Sequence, residues 1–419
     1  MIIVYTNNMK KRKLKIKYKN FIMLVAIIFI LVIGIKFSFS KPNKNDVSIN
    51  DQFVGMNLEE VKQLCNVQKL KCNIEYEFNN NVLKDIIIDN QKDNDEYNIL
   101  VSKGKITADI LKDKKVNELG KVPIMMYHGI VNQEETKYTG GNVDKDGYNR
   151  TSKAFREDLE FYYQNGYRMV RLIDYVNGDI DTELGLSPII ITFDDGNQNN
   201  FNVLGKDENG NLKIDPNCAV GILEEFKKKY PDYHVTATFF LMNGLFNQKE
   251  YDEDIMKWLV ENGYDIGNHT TNHSDFTKIS IDKTKEVVGE MYQKLESILG
   301  NKYVPIIALP YGSPYKKTHN NYSSILKGSY NGYSYETLAA LRVGWDSEVS
   351  PYDKTFDKTF LKRCRSYDNN GVEFDIKMVF KNLESSRYIS DGDKNTITIK
   401  EKDEEKLNKD IEREIIKYK

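Results

Sequence analysis

From Val122 to about Thr398 the hydrophobic pattern switches repeatedly between two textures. Short apolar runs begin at Val122 (VPIMMY), Arg168 (RMVRL), Pro188 (PIIITF), Val235 (VTATFFL), Val304 (VPIIAL) and Ala340 (ALRVG). Such runs predict strands covered on both faces. Between them lie longer stretches with apolar residues at three- and four-residue spacing: SKAFREDLEFYYQNG from Ser152, CAVGILEEFKKKY from Cys218, DEDIMKWLVENG from Asp252 and DKTKEVVGEMYQKLESILG from Asp282. That spacing gathers the apolar side chains on one face of a helix. Alternation of the two textures predicts an α/β domain with a parallel sheet, either a barrel or doubly wound. In a barrel, chemistry collects at the carboxyl ends of the strands. The polar KDENGNLKIDPN (206–217) reads as a hairpin insertion; it lacks the twelfth-position Glu of a calcium loop.

Upstream the pattern differs. MNLEEVKQLCNV carries helical spacing through Leu58, Val61, Leu64 and Cys65, and CNIEYEF, LKDIIIDN and YNILVSKGK then read as strands. This predicts a small α+β unit over 41–105, followed by a Lys/Asp-rich linker at 106–121. At the other end, 399–419 is a charged tail expected to be helical or frayed. Before the small unit, Phe21 to Ile35 is unbroken apolar sequence, and Lys10, Lys11, Arg12, Lys13, Lys15, Lys17 and Lys19 precede it. Snorkelling by Lys36 extends it into a span at 20–40. Cations at 1–19 then place the N-terminus in the cytoplasm and the rest outside. A cleaved signal peptide is the alternative, with SFS (38–40) as a small-x-small site.

Composition adds little. The 419 residues carry a net charge of −2, so no overall basic field points to nucleic acid. None of Cys65, Cys72, Cys218 and Cys364 shows Cys-x-x-Cys spacing, which argues against a thiolate zinc site. Cys65 and Cys72 are placed either to form a small-loop disulfide or to stay free.

Five histidines leave little room for coincidence in their placement. His269 and His273 stand in DIGNHTTNH, a spacing that presents two imidazoles on one side of a turn. Asp194 and Asp195 end the run PIIITF. Alone, each pair is also compatible with ordinary polar loops. Together, two imidazoles and one carboxylate suit a divalent cation with open positions, leaving the second carboxylate free as a base.

TFDDG and HTTNH together resemble the polysaccharide deacetylases, carbohydrate esterases with a NodB-homology domain. TATFFL and LPYGSPY agree with neighbouring strands of that family, and the resemblance covers 122–398. It implies a distorted (β/α) barrel, with Asp194 as general base and Asp195, His269 and His273 as ligands of a divalent metal, Zn2+ or else Co2+, Ni2+ or Mn2+. The backbone N–H of Tyr311 becomes the oxyanion donor, with Pro310 and Tyr311 as substrate contacts; separately, Trp345 in VGWDSE is placed either to wall a sugar subsite as a substrate contact or to fill the core. Two departures stand out. Ala308 replaces the arginine expected to orient the base, and no histidine follows His319 to serve as acid. His128 in MMYHGI resembles the acid of the circularly arranged branch acting on poly-N-acetylglucosamine, where that residue comes first in the chain. The unit at 41–105 resembles a PASTA domain through FVGMNLEEVKQL and VSKG. The expected function is metal-dependent N-deacetylation of peptidoglycan or another N-acetylated glycan, by a membrane-tethered chain with no nucleic-acid partner. The alternatives are a glycan-binding protein that has lost turnover and an O-acetyl esterase.

Overall fold

The computed structural model describes residues 52–93, 96–132, 148–344, 346–366 and 375–419. The apolar segment at 20–40 lies outside these residues. Among the described residues no helix is long and apolar enough to cross a membrane.

The main sheet is parallel. Its strands run in the order Ala339–Leu341, Ile306–Ala308, Asp265–Asn268, Thr238–Leu241, Ser187–Phe193, Ile124–Tyr127, Cys364–Arg365, and Tyr167–Met169 pairs with the start of Ser187–Phe193. The sheet curls until its edges meet. A parallel bridge joins Leu341 to Leu361, with Leu361 N–H donating to Ala340 O and Arg342 N–H to Leu361 O, each at 2.9 Å.

Alternation along the strands sorts their side chains. Ile124, Ile190, Phe240, Ile306, Ala308, Leu341 and Leu361 fill the interior. Met125, Ile191, Phe239 and Ile307 face outward and pack beneath the helices Ser152–Gln164, Ala219–Lys229, Asp252–Glu261 and Ile281–Leu299. Thr151 and Ser280 cap two of these helices through their side-chain oxygens. Full burial of each such apolar side chain contributes about 1.5–3 kcal/mol. The helices thus hold the strand ends in fixed positions.

The small unit is one helix, Leu58–Gln68, on three strands. Lys71–Glu77 pairs parallel with Glu96–Ser102, which pairs antiparallel with Ile87–Asp93. Cys65 and Cys72 are disulfide-bonded, tying the helix to the first strand. Val203–Lys206 and Leu212–Ile214 form the expected hairpin.

Two polar-looking segments are structured. The expected linker forms a helix, Ala108–Asp113, and buries Ile106, Leu111 and Val116 against Tyr418. The expected tail adds the strand Glu414–Tyr418 parallel to Thr396–Lys400. Charged residues there outnumber a few apolar anchors, which is why the pattern alone predicts a linker and a helical or frayed tail.

Candidate active site

Asp194 still belongs to the sheet: its N–H donates to Tyr127 O at 3.0 Å, so its side chain follows Ile190 and Thr192 inward. The chain then turns. Asp195 and Gly196 have φ of 76° and 65°, and a Cβ on Gly196 would stand 2.1 Å from the Leu245 carbonyl oxygen. Only glycine fits there. The turn faces Asp195 away from Asp194, toward the end of the neighbouring strands, so the adjacent carboxylates have separate surroundings.

Asp194 is 2% exposed and is gripped by a fully buried arginine. Arg363 Nη1 donates to Oδ1 at 2.7 Å and Nη2 to Oδ2 at 2.6 Å. The guanidinium also reaches Thr192 Oγ1 and, through Nε, the Arg342 carbonyl, both at 3.2 Å. Burial alone would raise the Asp194 pKa, but Arg363, His269 and His128 outweigh it and hold the carboxyl well below its usual range. Asp194 is therefore an anion at neutral pH despite its burial.

Asp195, His269 and His273 converge, with one ligand atom from each lying within 4.8 Å of the others. His269 Nε2 is 3.2 Å and His273 Nε2 3.6 Å from Asp195 Oδ1. His269 Nδ1 lies 2.8 Å from the Ala308 carbonyl oxygen, which can only accept, so this nitrogen carries the proton and Nε2 faces Asp195. Asp195 Oδ1 and His269 Nε2 are buried without an aligned hydrogen bond. That is the donor set of a divalent cation, and these three residues fit one. Burial lowers the pKa of His269, but Asp194 and Asp195 reverse the shift and raise it; His273 is lowered by burial and by His269. The loops bearing these groups are strained: Thr270, His273 and Tyr311 take φ of 65°, 54° and 58°, a region that L-residues avoid.

His128 stands opposite, 7% exposed, with Nε2 4.0 Å from Asp194 Oδ2. Asn200 fixes its backbone by donating to His128 O at 2.6 Å, and the Tyr148 ring meets its imidazole edge-on at 5.1 Å. Burial is the dominant influence on its pKa and lowers it; Asp194 and Asp195 only partly offset this. Pro310 is buried, whereas the Tyr311 ring is 54% exposed and packs 4.4 Å from His273. The structure thus brings together Asp194, Asp195, His269, His273, His128 and Tyr311. Trp345 lies outside the described residues.

Sequence reasoning missed Arg363. The family pattern points to position 308, where Ala308 is an interior residue paired with Leu341. Leu341 in turn bridges Leu361, and Arg363 follows two residues later with the same inward alternation. A cation for Asp194 is present, delivered from the barrel-closing segment.

Residues 183–326 match the polysaccharide deacetylase family. A 124-residue stretch is 27% identical to an uncharacterized 30.6 kDa protein of Geobacillus stearothermophilus, covering 30% of this chain and 38% of that protein. The chain is also similar to the Streptococcus pyogenes deacetylase PplD, solved with acetate (19% identity, TM-score 0.44, covering 63% of this chain and 98% of that one). Similarity extends to a de-N-acetylase from Aggregatibacter actinomycetemcomitans (13% identity, TM-score 0.40, covering 63% and 99%).

Proposed function

From the premise that residues 183–326 carry a hydrolase domain of the polysaccharide deacetylase family, we propose that the chain removes acetyl groups from the nitrogen of N-acetylated glycans. The observation that carries this reading is the pairing of two environments 4.0 Å apart: an arginine-held carboxylate and a buried imidazole, beside a metal-type triad. Asp195, His269 and His273 would hold a divalent cation, which would supply Lewis-acid chemistry when bound. Asp194 takes the proton from the attacking water, and Arg363 keeps its carboxylate ionised and oriented. The backbone N–H of Tyr311 donates to the developing oxyanion. His128 Nε2 gives a proton to the departing nitrogen. Amides need that last step far more than esters do, because an unprotonated amine leaves poorly; acid and base assistance each contribute about 10²–10⁴-fold.

The substrate in this reading is peptidoglycan or another polymer of N-acetylglucosamine. The apolar segment at 20–40 tethers the chain at the membrane, with the barrel outside, and the PASTA-like unit at 41–105 contacts the same wall glycan. The disulfide between Cys65 and Cys72 supports an oxidising location.

The test compares N-acetylglucosamine oligomers with an O-acetylated sugar ester, reading new primary amines on the first and acetate from both. Amine formation that depends on His128 is expected. Turnover of the ester alone, indifferent to His128→Ala, would replace the reading with O-acetyl esterase activity.

A further inference from the structure

The segments on either side of the barrel meet on a face that is densely cationic. Lys112, Lys115, Lys400, Lys402 and Lys419 surround a cavity of about 450 Å3, in which Glu401 supplies the acidic lining. A second cavity of about 540 Å3 shares Lys115 and adds Lys377, Lys381 and Arg387, against Glu384. Eight cationic side chains thus line the two cavities with two carboxylates, an excess of six positive charges on a chain whose net charge is −2.

Arg387 is engaged by the Asn165 carbonyl oxygen and the Tyr167 ring, but most of the other charges are available. The neighbouring Lys114 and Lys417 reach Asp113 and Glu404. Among the described residues, Lys112, Lys115, Lys377, Lys381, Lys400 and Lys402 form no ion pair. The floor is rigid, because Tyr418 is buried beside Leu111 and Val116 and donates its hydroxyl proton to Val116 O at 2.5 Å. Lys115 occupies the left-handed region with φ of 57°, a position where glycine or asparagine would be less strained. That turn sets the lysine at the junction of the two cavities. Lys377 and Lys381 stand four residues apart on the helix Ile376–Leu383 and so share one face.

We infer that this groove binds a linear polyanion with phosphate in each repeat. Ammonium groups act as point charges toward phosphate. Their arrangement around two hollows that share Lys115 suits a chain lying across them better than a flat lipid surface, which would touch only the rim. The inference is independent of the proposed deacetylation, since none of these residues belongs to the strand-end site.

End-labelled inorganic polyphosphate, titrated with the full chain and followed by fluorescence anisotropy, tests it. Affinity is expected to fall at least about tenfold between about 50 and 200 mM NaCl, as counterion release requires. The variant K112Q/K115Q/K377Q/K381Q is expected to bind at least about tenfold more weakly at low salt, by the same phosphate neutralisation. K213Q/K228Q/K249Q/K302Q, an equal charge change on exposed lysines elsewhere, is expected to bind like wild type. Equal binding by the groove variant and wild type would overturn the inference. So would attachment to anionic lipid vesicles without polyphosphate binding.

Discussion

Replacing Arg363 with methionine preserves most of the side chain's volume and removes the only guanidinium seen on Asp194 among the described residues. Two charge-assisted hydrogen bonds, at 2.6 and 2.7 Å, disappear from a pair that is 0% and 2% exposed. Breaking a buried ion pair from one side costs about 3–5 kcal/mol, because the remaining charge is left without its partner. For a domain of this size that corresponds to a melting temperature lower by roughly 6–20 °C. The effect on turnover is expected to be larger. A carboxylate without its guanidinium either takes up a proton or rotates away, and loss of base assistance lowers kcat by about 10²–10⁴-fold. Arg363→Lys retains charge but not the two-pronged grip, so it is expected to fall between the two. The assays are acetate release under saturating glycan and thermal unfolding of the same samples. Wild-type kcat in Arg363→Met at a temperature where it is folded would refute the assignment. The double variant Ala308→Arg with Arg363→Ala moves the guanidinium to the other interior strand and is expected to recover part of the lost turnover.

Other consequences are equally open to measurement. His269→Ala should weaken zinc binding by more than about 100-fold, since removing a ligand exceeds the 10–100-fold effect of disturbing a ligand's support; equilibrium dialysis reads this without any activity assay. Asp181 is pushed up to about 6, chiefly by burial and by Asp391 and Asp179, against the pull of Arg413. Its contribution to stability is complete below the ordinary aspartate range and is lost as pH rises through about 6. The loss amounts to about 3 kcal/mol, and denaturant titrations of Asp181→Asn should lack that component. Removing the disulfide with Cys65→Ser and Cys72→Ser releases a short loop, costing the small unit about 2–3 kcal/mol on the chain-entropy account. Hydrogen exchange should show the loss in residues 52–102 while acetate release is unchanged.

The strands and helices of the barrel were legible because both faces of the sheet are covered, so PIIITF and VPIMMY show as unbroken apolar runs. The long helix was equally legible, with apolar residues at helical spacing from Val287 to Leu299. Asp194, Asp195 and His128 were legible because each lies where a strand ends, and His269 and His273 because their spacing stands out among only five histidines. Arg363 was not. Its segment, FLKRCRSY, puts three cations within four residues and reads as surface, although Arg363 turns inward while Lys362 faces Asp346 and Glu348. The closing strand, Cys364–Arg365, is too short to show a period of two. The packing of 106–121 against 414–418 escaped for a related reason: their buried anchors, Leu111, Val116 and Tyr418, meet across some 300 residues of sequence, with the Tyr418 hydroxyl on Val116 O separated by 302 positions.

In the proposed mechanism Asp194 acts as base beside a cation held by Asp195, His269 and His273. Acetate release from N-acetylglucosamine oligomers, measured on chelator-treated protein, on the same protein reconstituted with zinc, and on reconstituted Asp194→Asn, tests it most directly. The expected result is release by the reconstituted wild type alone. Equal release by the chelated protein, or by Asp194→Asn, would contradict it.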